Sequence, residues 1–387
     1  MKNIRKAATL AASIAISLPI SAFAAEIDLP KTMVWTAYNT GSAGYNQAVA
    51  VGSVLKNTYG TNLRVIPGKN DVSRLSPLKS GMAQFSATGS DSIYAQEGVY
   101  TFGNKEWGPQ PIRLALINLP DGCAVSLATA KDANIKTPAD LKGKRVAWVR
   151  GAPALNQAIQ SMLHFANLTW DDVEKVEVGG YASSVEALIN NDLDALIAAS
   201  HSSQMLKVDA SPRGLFHPSF PHEDKEGWER VHSVVPWYLR HRCTQGAGVP
   251  EGGYEGIATP YPVLVTMDNI DTGMVYGVTK SMYVHHDEYK DNAPGANGWA
   301  WERQDLAAAF VPFHEGAVQY YKETGKWTDE AEANQQKNLK RQQVLLDTWK
   351  EFRKNAPDDE TAFKDAWAKA RSEALTAAGL NPVFHSW

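Results

Sequence analysis

The stretch Thr137–Ser200 reads TPADLKGKRVAWVRGAPALNQAIQSMLHFANLTWDDVEKVEVGGYASSVEALINNDLDALIAAS, and its punctuation decides the fold class. Thr137 before Pro138 suits a helix N-cap with proline at the first helical position, where an N–H has no partner to lose. Lys144–Val149 is an apolar run of strand length, and Arg150-Gly151-Ala152-Pro153-Ala154 is a loop at its C-terminal end. A helix is expected from about Leu155 to Phe165, a strand over Lys175–Val178 and a short helix over Ser184–Ile189. A buried strand over Ala195–Ala199 then stops at Ser200-His201. This βαβα rhythm is that of an α/β sheet unit.

Towards the N-terminus the rhythm recurs. Thr32–Ala37 is β-branched and apolar, and Asn39–Gly44 is a Gly-rich turn. Ala48, Val51, Gly52 and Leu55 then repeat at helical spacing up to Tyr59-Gly60. Strands over Leu63–Pro67 and Gln84–Thr88 flank a helix over Val72–Ser80, and the second strand opens into Gly89-Ser90-Asp91. Two such units in one chain hold ligands in the cleft between them. Pro212–Tyr261 is rich in Gly, Pro, His and aromatics with little periodicity, long enough to be functional. After it come a strand over Val263–Met267 and helices over Met274–Tyr283, Leu306–Phe310 and Glu315–Tyr321. From Asp329 onward, Leu345, Trp349 and Phe352 share one helical face and Phe363, Trp367 and Ala370 another. Pro357 separates these two helices, which read as a docked hairpin.

The 387 residues carry 38 Lys and Arg against 42 Asp and Glu, with no polybasic tract, which argues against a nucleic-acid partner. Lys2, Arg5 and Lys6 precede the apolar run Ala7–Ile20, and Ala22-Phe23-Ala24 completes a secretory leader with cleavage before Ala25. No Cys lies near that cut, so no lipid anchor is expected. The expected compartment is the periplasm, where Cys123 and Cys243 are either one bridge or two buried thiols.

Common enzyme signatures are absent: no Gly-x-Ser-x-Gly, no Gly-x-Gly-x-x-Gly, no Walker loop, no His-Glu-x-x-His and no Cys-x-x-Cys. His285-His286-Asp287 is a tight cluster, but neighbouring helical residues point about 100° apart, so a solvated helix end explains it better than a metal site. Asp271 reads as a helix cap. What remains is a set of loops at strand C-terminal ends, the place where open α/β sheets bind ligands. They supply Tyr38, Asn39, Gly44 and Tyr45; Ser90 and Asp91; Arg150, Gly151, Ala152 and Asn156; and Ser200 and His201. Helix N-termini follow the first and third loops and offer N–H groups to an anion. Arg150 either grips a carboxylate in two-point fashion or is an ordinary surface arginine. Trp148 is either a packing or a ligand-facing aromatic.

These segments resemble the TAXI-type solute-binding proteins of TRAP transporters over roughly residues 32 to 327. The resemblance is strongest over Thr137–Ser200. It continues in order through GGYEGIATPYPVLV (Gly252–Val265), MVYGVTKSMY (Met274–Tyr283) and PFHEGAVQYYKETG (Pro312–Gly325). The family's first loop is usually Gly-Gly-Thr-Tyr-Tyr-Pro; here Gly41–Gln47 keeps an aromatic, Tyr45, and lacks the proline. Its central Gly-Ser-Gly-Thr is replaced by Arg150–Asn156, without those hydroxyls. The tail beyond Trp327 is longer than is usual for the family.

The resemblance implies an α/β, two-lobe fold of the periplasmic-binding-protein type II kind, with a helical C-terminal extension. Lobe one is expected over residues 26–119 and 262–387, and lobe two, inserted, over 120–261. The expected function is capture of a small organic acid between the lobes and its delivery to TRAP membrane permease subunits by a monomer, without cofactor, metal or catalysis. An enzyme on the same scaffold and a module feeding a membrane sensor are the alternatives. A hinge is expected near Leu119–Asp121 and Ala258–Pro262, where Pro120, Pro260 and Pro262 restrict φ.

Overall fold

Each parallel strand ends within two residues of a glycine, serine or asparagine and hands the chain to a helix. A computed structural model describes residues 27–387; the leader expected over residues 1–24 lies outside them. In chain order β1 is Thr32–Tyr38, α1 Ala43–Tyr59, β2 Asn62–Gly68, α2 Asp71–Lys79, β3 Phe85–Thr88, α3 Asp91–Glu97 and β4 Ile112–Ile117. The chain then builds β5 (Ser126–Ala130), β6 (Arg145–Val149), α4 (Pro153–Phe165), β7 (Glu174–Val178), α5 (Tyr181–Ile189), β8 (Ala195–Ala198), α6 (Ser203–Asp209) and β9 (Leu215–Phe216). Next come α7 (Lys225–Val234), β10 (Leu239–Cys243) and β11 (Tyr254–Ala258). It returns through β12 (Val263–Met267), α8 (Thr272–Val284), α9 (His286–Tyr289), α10 (Glu315–Glu323), α11 (Asp329–Phe352) and α12 (Glu360–Ala377).

Two sheets share one topology. The first has the order β2-β1-β3-β12-β4, with β1 parallel to β2 and β3 and β12 antiparallel to β3 and β4. The second has the order β7-β6-β8-β5-β9, with β6 parallel to β7 and β8 and β5 antiparallel to β8 and β9. In each, a strand from outside the βαβα run pairs antiparallel beside the third parallel strand. This is the two-lobe, type II-like α/β fold. Helices cover the sheets, so β3, β8 and β12 are buried along their whole length, as their unbroken apolar or small-residue runs require. The two segments that cross between the lobes run side by side, joined by Tyr261 N–H to Asn118 O at 2.9 Å and Asn118 N–H to Pro262 O at 3.2 Å, and just beyond them Gly122 bridges to Gln245 and Val125 to Ile257. Cys123 and Cys243 are bridged there, with Cα atoms 5.1 Å apart.

Some elements differ from expectation. Residues 306–310 form a turn instead of a helix: Ala308 N–H bonds the Asp305 carboxylate, and Leu306 and Ala309 are buried by the turn itself. The stretch 212–261, which read as aperiodic, contains β9, α7, β10 and β11; α7 lays Trp228 and Val231, three apart, on the lobe-two core. Asp271 does cap α8, accepting from Met274 N–H at 2.8 Å. His285 contacts the Tyr59 hydroxyl and Glu288, a local helix-end network.

The extension docks through its aromatic faces. Trp349 of α11 meets Trp367 of α12 with ring centroids 4.8 Å apart, and Phe352 meets Phe363 at 5.1 Å. Trp367 Nε1 donates to Gly98 O at 2.7 Å, which fixes the hairpin to the end of α3. Beneath it Glu97 is buried between Arg341 and Arg371, both from the extension. Burial opposes a charge on Glu97, but the two guanidiniums hold its carboxyl below the usual range.

Candidate functional site

The helices α1, α3, α4, α5 and α6 all start at the boundary between the lobes, because each follows the C-terminal end of a parallel strand. A cavity lies where they converge. Lobe one lines it with Tyr38, Ser42, Arg74, Ser90 and Asp91, and Tyr261 adds its ring from the crossing into β12. Lobe two lines it with Val125, Leu155, Ala158, Tyr181, Ile197 and Tyr238. The charged groups are thus confined to lobe one, and the lobe-two wall is apolar apart from hydroxyls. About 50 Å³ is open to the centre of a water-sized sphere, room for about four waters or a solute of comparable size.

A buried charge cluster forms one end. Arg74, in the first turns of α2, is fully buried; its Nη2 lies 3.0 Å from Asp71 Oδ1 and 2.9 Å from Asp91 Oδ2. Its guanidinium carbon sits 3.4 Å from the Tyr38 ring centroid, and the Tyr38 hydroxyl donates to Asp71. Asp91 accepts from Gly89 N–H at 2.8 Å and from the Thr88 hydroxyl. Two carboxylates therefore share one guanidinium away from water. Burial, then the neighbouring Asp91, pushes the Asp71 carboxyl up to about 7, against the pull of Arg74. Burial likewise pushes the Tyr261 phenol up to about 12, so it stays neutral. Gly89 belongs here for a steric reason: a Cβ on it would stand 3.0 Å from the Tyr261 ring.

Two residues that line the cavity each carry a buried polar atom with no partner in the protein, Arg74 Nε and Thr259 Oγ1. The first is a donor only and the second can donate. The lobes are in contact around it. Ala154 N–H at the start of α4 donates to Asp71 Oδ2 at 2.8 Å, Tyr181 N–H to Lys69 O at 2.9 Å and Val72 N–H to Gly151 O at 3.3 Å. On the α1 side, Asn46 reaches Ser203 at 2.9 Å and Gln204 reaches Thr40 O at 2.7 Å.

Of the residues singled out from sequence, Tyr38, Ser90 and Asp91 line the cavity. Gly44 borders it, its N–H bonded to the Tyr261 hydroxyl. Asn39 accepts from Ala182 N–H across the lobe contact, and Gly151, with φ +68°, makes the turn that brings its carbonyl to Val72. Ala152 is buried at the start of α4, and the Asn156 side chain is spent on two hydrogen bonds to the Val149 backbone, accepting from its N–H and donating to its carbonyl, both at 2.9 Å. Tyr45 is half-buried on α1. Ser200 ties Cys123 N–H to Gln245 O. His201 is buried with both ring nitrogens unpartnered, and burial pushes it down to about 4. None of these five lines the cavity. Arg150 is not brought there either: its side chain is 71% exposed and its Nε lies 2.7 Å from Glu177 of the neighbouring strand β7, because the turn at Gly151 leaves it pointing outward. The Trp148 ring packs edge-on against Trp170 at 5.0 Å, a packing role.

The groups that sequence reading missed are Asp71, Arg74, Tyr181, Tyr238, Thr259 and Tyr261. Asp71 and Arg74 are three apart at a helix start, a pattern shared with any exposed pair. The Pro-Tyr-Pro around Tyr261, at the crossing into β12, was the one local signal.

Among solved structures, the chain is similar to a protein of Bordetella bronchiseptica RB50 at 14% identity, over 92% of this chain and 94% of that one, with a TM-score of 0.44. It is similar to an ancestral arginine-binding protein bound to arginine at 11% identity, over 70% and 99%, with a TM-score of 0.43. It is also similar to the alkanesulfonate-binding protein SsuA from Xanthomonas axonopodis pv. citri bound to MOPS, at 12% identity, over 78% and 96%, with a TM-score of 0.39. The family model that matches covers residues 36–325, from β1 to just past α10 and so through every strand that frames the cavity: the chain belongs to the NMT1-like family.

Proposed function

We propose that this protein is an exported solute-binding protein that encloses a small organic acid between its lobes and presents it, chemically unchanged, to membrane permease subunits of the TRAP type. The observation that carries this reading is the inter-lobe cavity lined both by Arg74 and Thr259, each with a buried unpartnered donor, and by apolar residues of lobe two. A carboxylate satisfies the donors, and a short hydrocarbon body fits against Val125, Leu155, Ala158 and Ile197. Leaving those donors unpaired in the closed form costs free energy that a bound acceptor recovers, so solute and closure favour each other. The TAXI resemblance supplies the permease type and the periplasmic setting. Among the described residues no helix is long and apolar enough to cross a membrane.

Mass spectrometry of small molecules released from natively purified protein tests the reading, followed by calorimetry with the recovered acid. Ile197→Trp, which fills the cavity from the apolar wall, should abolish that binding while circular dichroism stays unchanged. Recovery of a converted product, or full binding by the filled variant, would refute it.

A further inference from the structure

Residues 380–387 have no regular secondary structure, yet one of their rings, Phe384, reaches a lobe-two residue, and a second, Trp387, packs on Tyr100 behind the contact between the lobes. Phe384 is 5% exposed, its carbonyl accepts from Arg371, and the Arg371 guanidinium lies 5.6 Å over its ring. Arg371 is itself fully buried against Glu97, so the segment is tied to the far end of α3, the helix whose first residues, Ser90 and Asp91, line the cavity. The Phe384 ring stands 5.6 Å from Tyr94, 5.8 Å from Tyr100 and 6.1 Å from Trp237, all edge-on. Trp387 stands 6.3 Å from Tyr100.

Trp237 and Tyr100 are the residues through which the lobes touch on this side. Trp237 comes from lobe two but packs against the hydrophobic clusters of both lobes, and its Nε1 donates to Ser90 Oγ at 3.2 Å. Its neighbour Tyr238 lines the cavity with Ser90, its phenol close to the Ser90 side chain. Tyr100 comes from lobe one and donates to Gln157 Oε1 of α4 at 3.1 Å. Tyr100 has φ +55°, a left-handed backbone that a bulky residue adopts only when its surroundings hold it there. Those surroundings are Tyr94, at 5.0 Å, and the two rings of the 380–387 segment.

We propose that residues 380–387 are a strap across the lobe contact, in which Phe384 and Trp387 act as positioning residues that hold Trp237 and Tyr100 in their cross-lobe bonds and so keep the cavity closed. The strap acts on lobe geometry and holds whatever solute the cavity takes. It gives the extension a role beyond covering the core: α11 and α12 deliver the strap through Arg341 and Arg371, and a change there is felt at Ser90 without any contact with solute.

Three backbone N–H groups bonded across the lobes, those of Val72, Ala154 and Tyr181, report opening directly. Hydrogen exchange of the full chain without added solute, followed on peptides covering them, should accelerate about tenfold or more in Phe384→Ala. Peptides from β1, β3, β6 and β8 should keep their protection, and the radius of gyration from small-angle scattering should rise. Trp387→Ala, at a half-buried ring, should accelerate the Ala154 peptide through Tyr100 and Gln157, and Trp387→Phe should restore it. A strap that only stabilises the fold would accelerate strand and cross-lobe peptides alike. That outcome, or unchanged cross-lobe exchange in Trp387→Ala even where Phe384→Ala fails to fold, overturns the proposal. Failure of solute binding with the exchange pattern as expected would instead strike only the functional reading.

Discussion

Replacing Arg74 with Met tests the buried charge cluster quantitatively. Methionine fills much of the same volume and removes the charge that Asp71 and Asp91 share at 3.0 and 2.9 Å. Neither carboxyl has solvent to turn to, so without the guanidinium the buried pair no longer holds a negative charge. In the parent protein Asp71, raised to about 7, already keeps its proton through mildly acidic pH, so the variant must take up roughly one more. Protonating a carboxyl of ordinary pKa costs about 4 kcal/mol at pH 7 and about 1.5 kcal/mol at pH 5, at about 1.4 kcal/mol per unit. The sign follows from linkage: the folded variant binds protons that the unfolded chain releases, so its stability falls as pH rises. Arg74→Met should therefore be about 4 kcal/mol less stable than the parent at pH 7, and the deficit should shrink steadily on acidification. Urea unfolding followed by circular dichroism at half-unit intervals from pH 5 to 7.5 measures this. A deficit that does not change with pH, or one below about 1 kcal/mol at pH 7, would refute the shared-charge reasoning.

Asp71→Asn should remove a pH dependence that the parent has: because its folded pKa is raised to about 7, the parent loses stability as pH climbs from about 4 to about 7, by up to about 1.4 kcal/mol per unit. The variant's unfolding midpoint should be flatter over that window, and parallel profiles would reject the assignment. Cys123→Ser combined with Cys243→Ser opens a link between positions 120 apart in sequence, with an expected loss of about 2–5 kcal/mol in reversible unfolding. An unchanged midpoint in the double variant would show that the lobe-two excursion is held by packing alone.

Local order was legible in the sequence wherever the chain speaks to itself over a few residues. The strands over Arg145–Val149 and Ala195–Ala198, the helix that ends at Phe165, the cap at Asp271 and the paired aromatic faces of α11 and α12 all rest on spacing, capping and turn chemistry within one or two turns of backbone, although α4 begins at Pro153, two residues before the expected start. The doubled βαβα rhythm pointed to the strand ends, where the inter-lobe cavity lies, and Tyr38, Ser90 and Asp91, which line it, followed from that placement. What the sequence could not decide was which polar side chain turns inward. Arg150 and Arg74 both sit next to a loop at a strand end, and only the packing of α2 under Tyr38 buries the one while a single left-handed glycine turns the other to Glu177. The cavity itself belongs to neither lobe. Its wall joins Tyr38 to Tyr181, Ser90 to Tyr238 and Asp71 to Ala154, pairs about 80 to 150 positions apart, and no local pattern encodes contacts at that separation. They exist because two independently patterned sheets bury their helix starts against each other, and the free energy of that burial is set by the assembled surface, a quantity that arises only once the chain has folded.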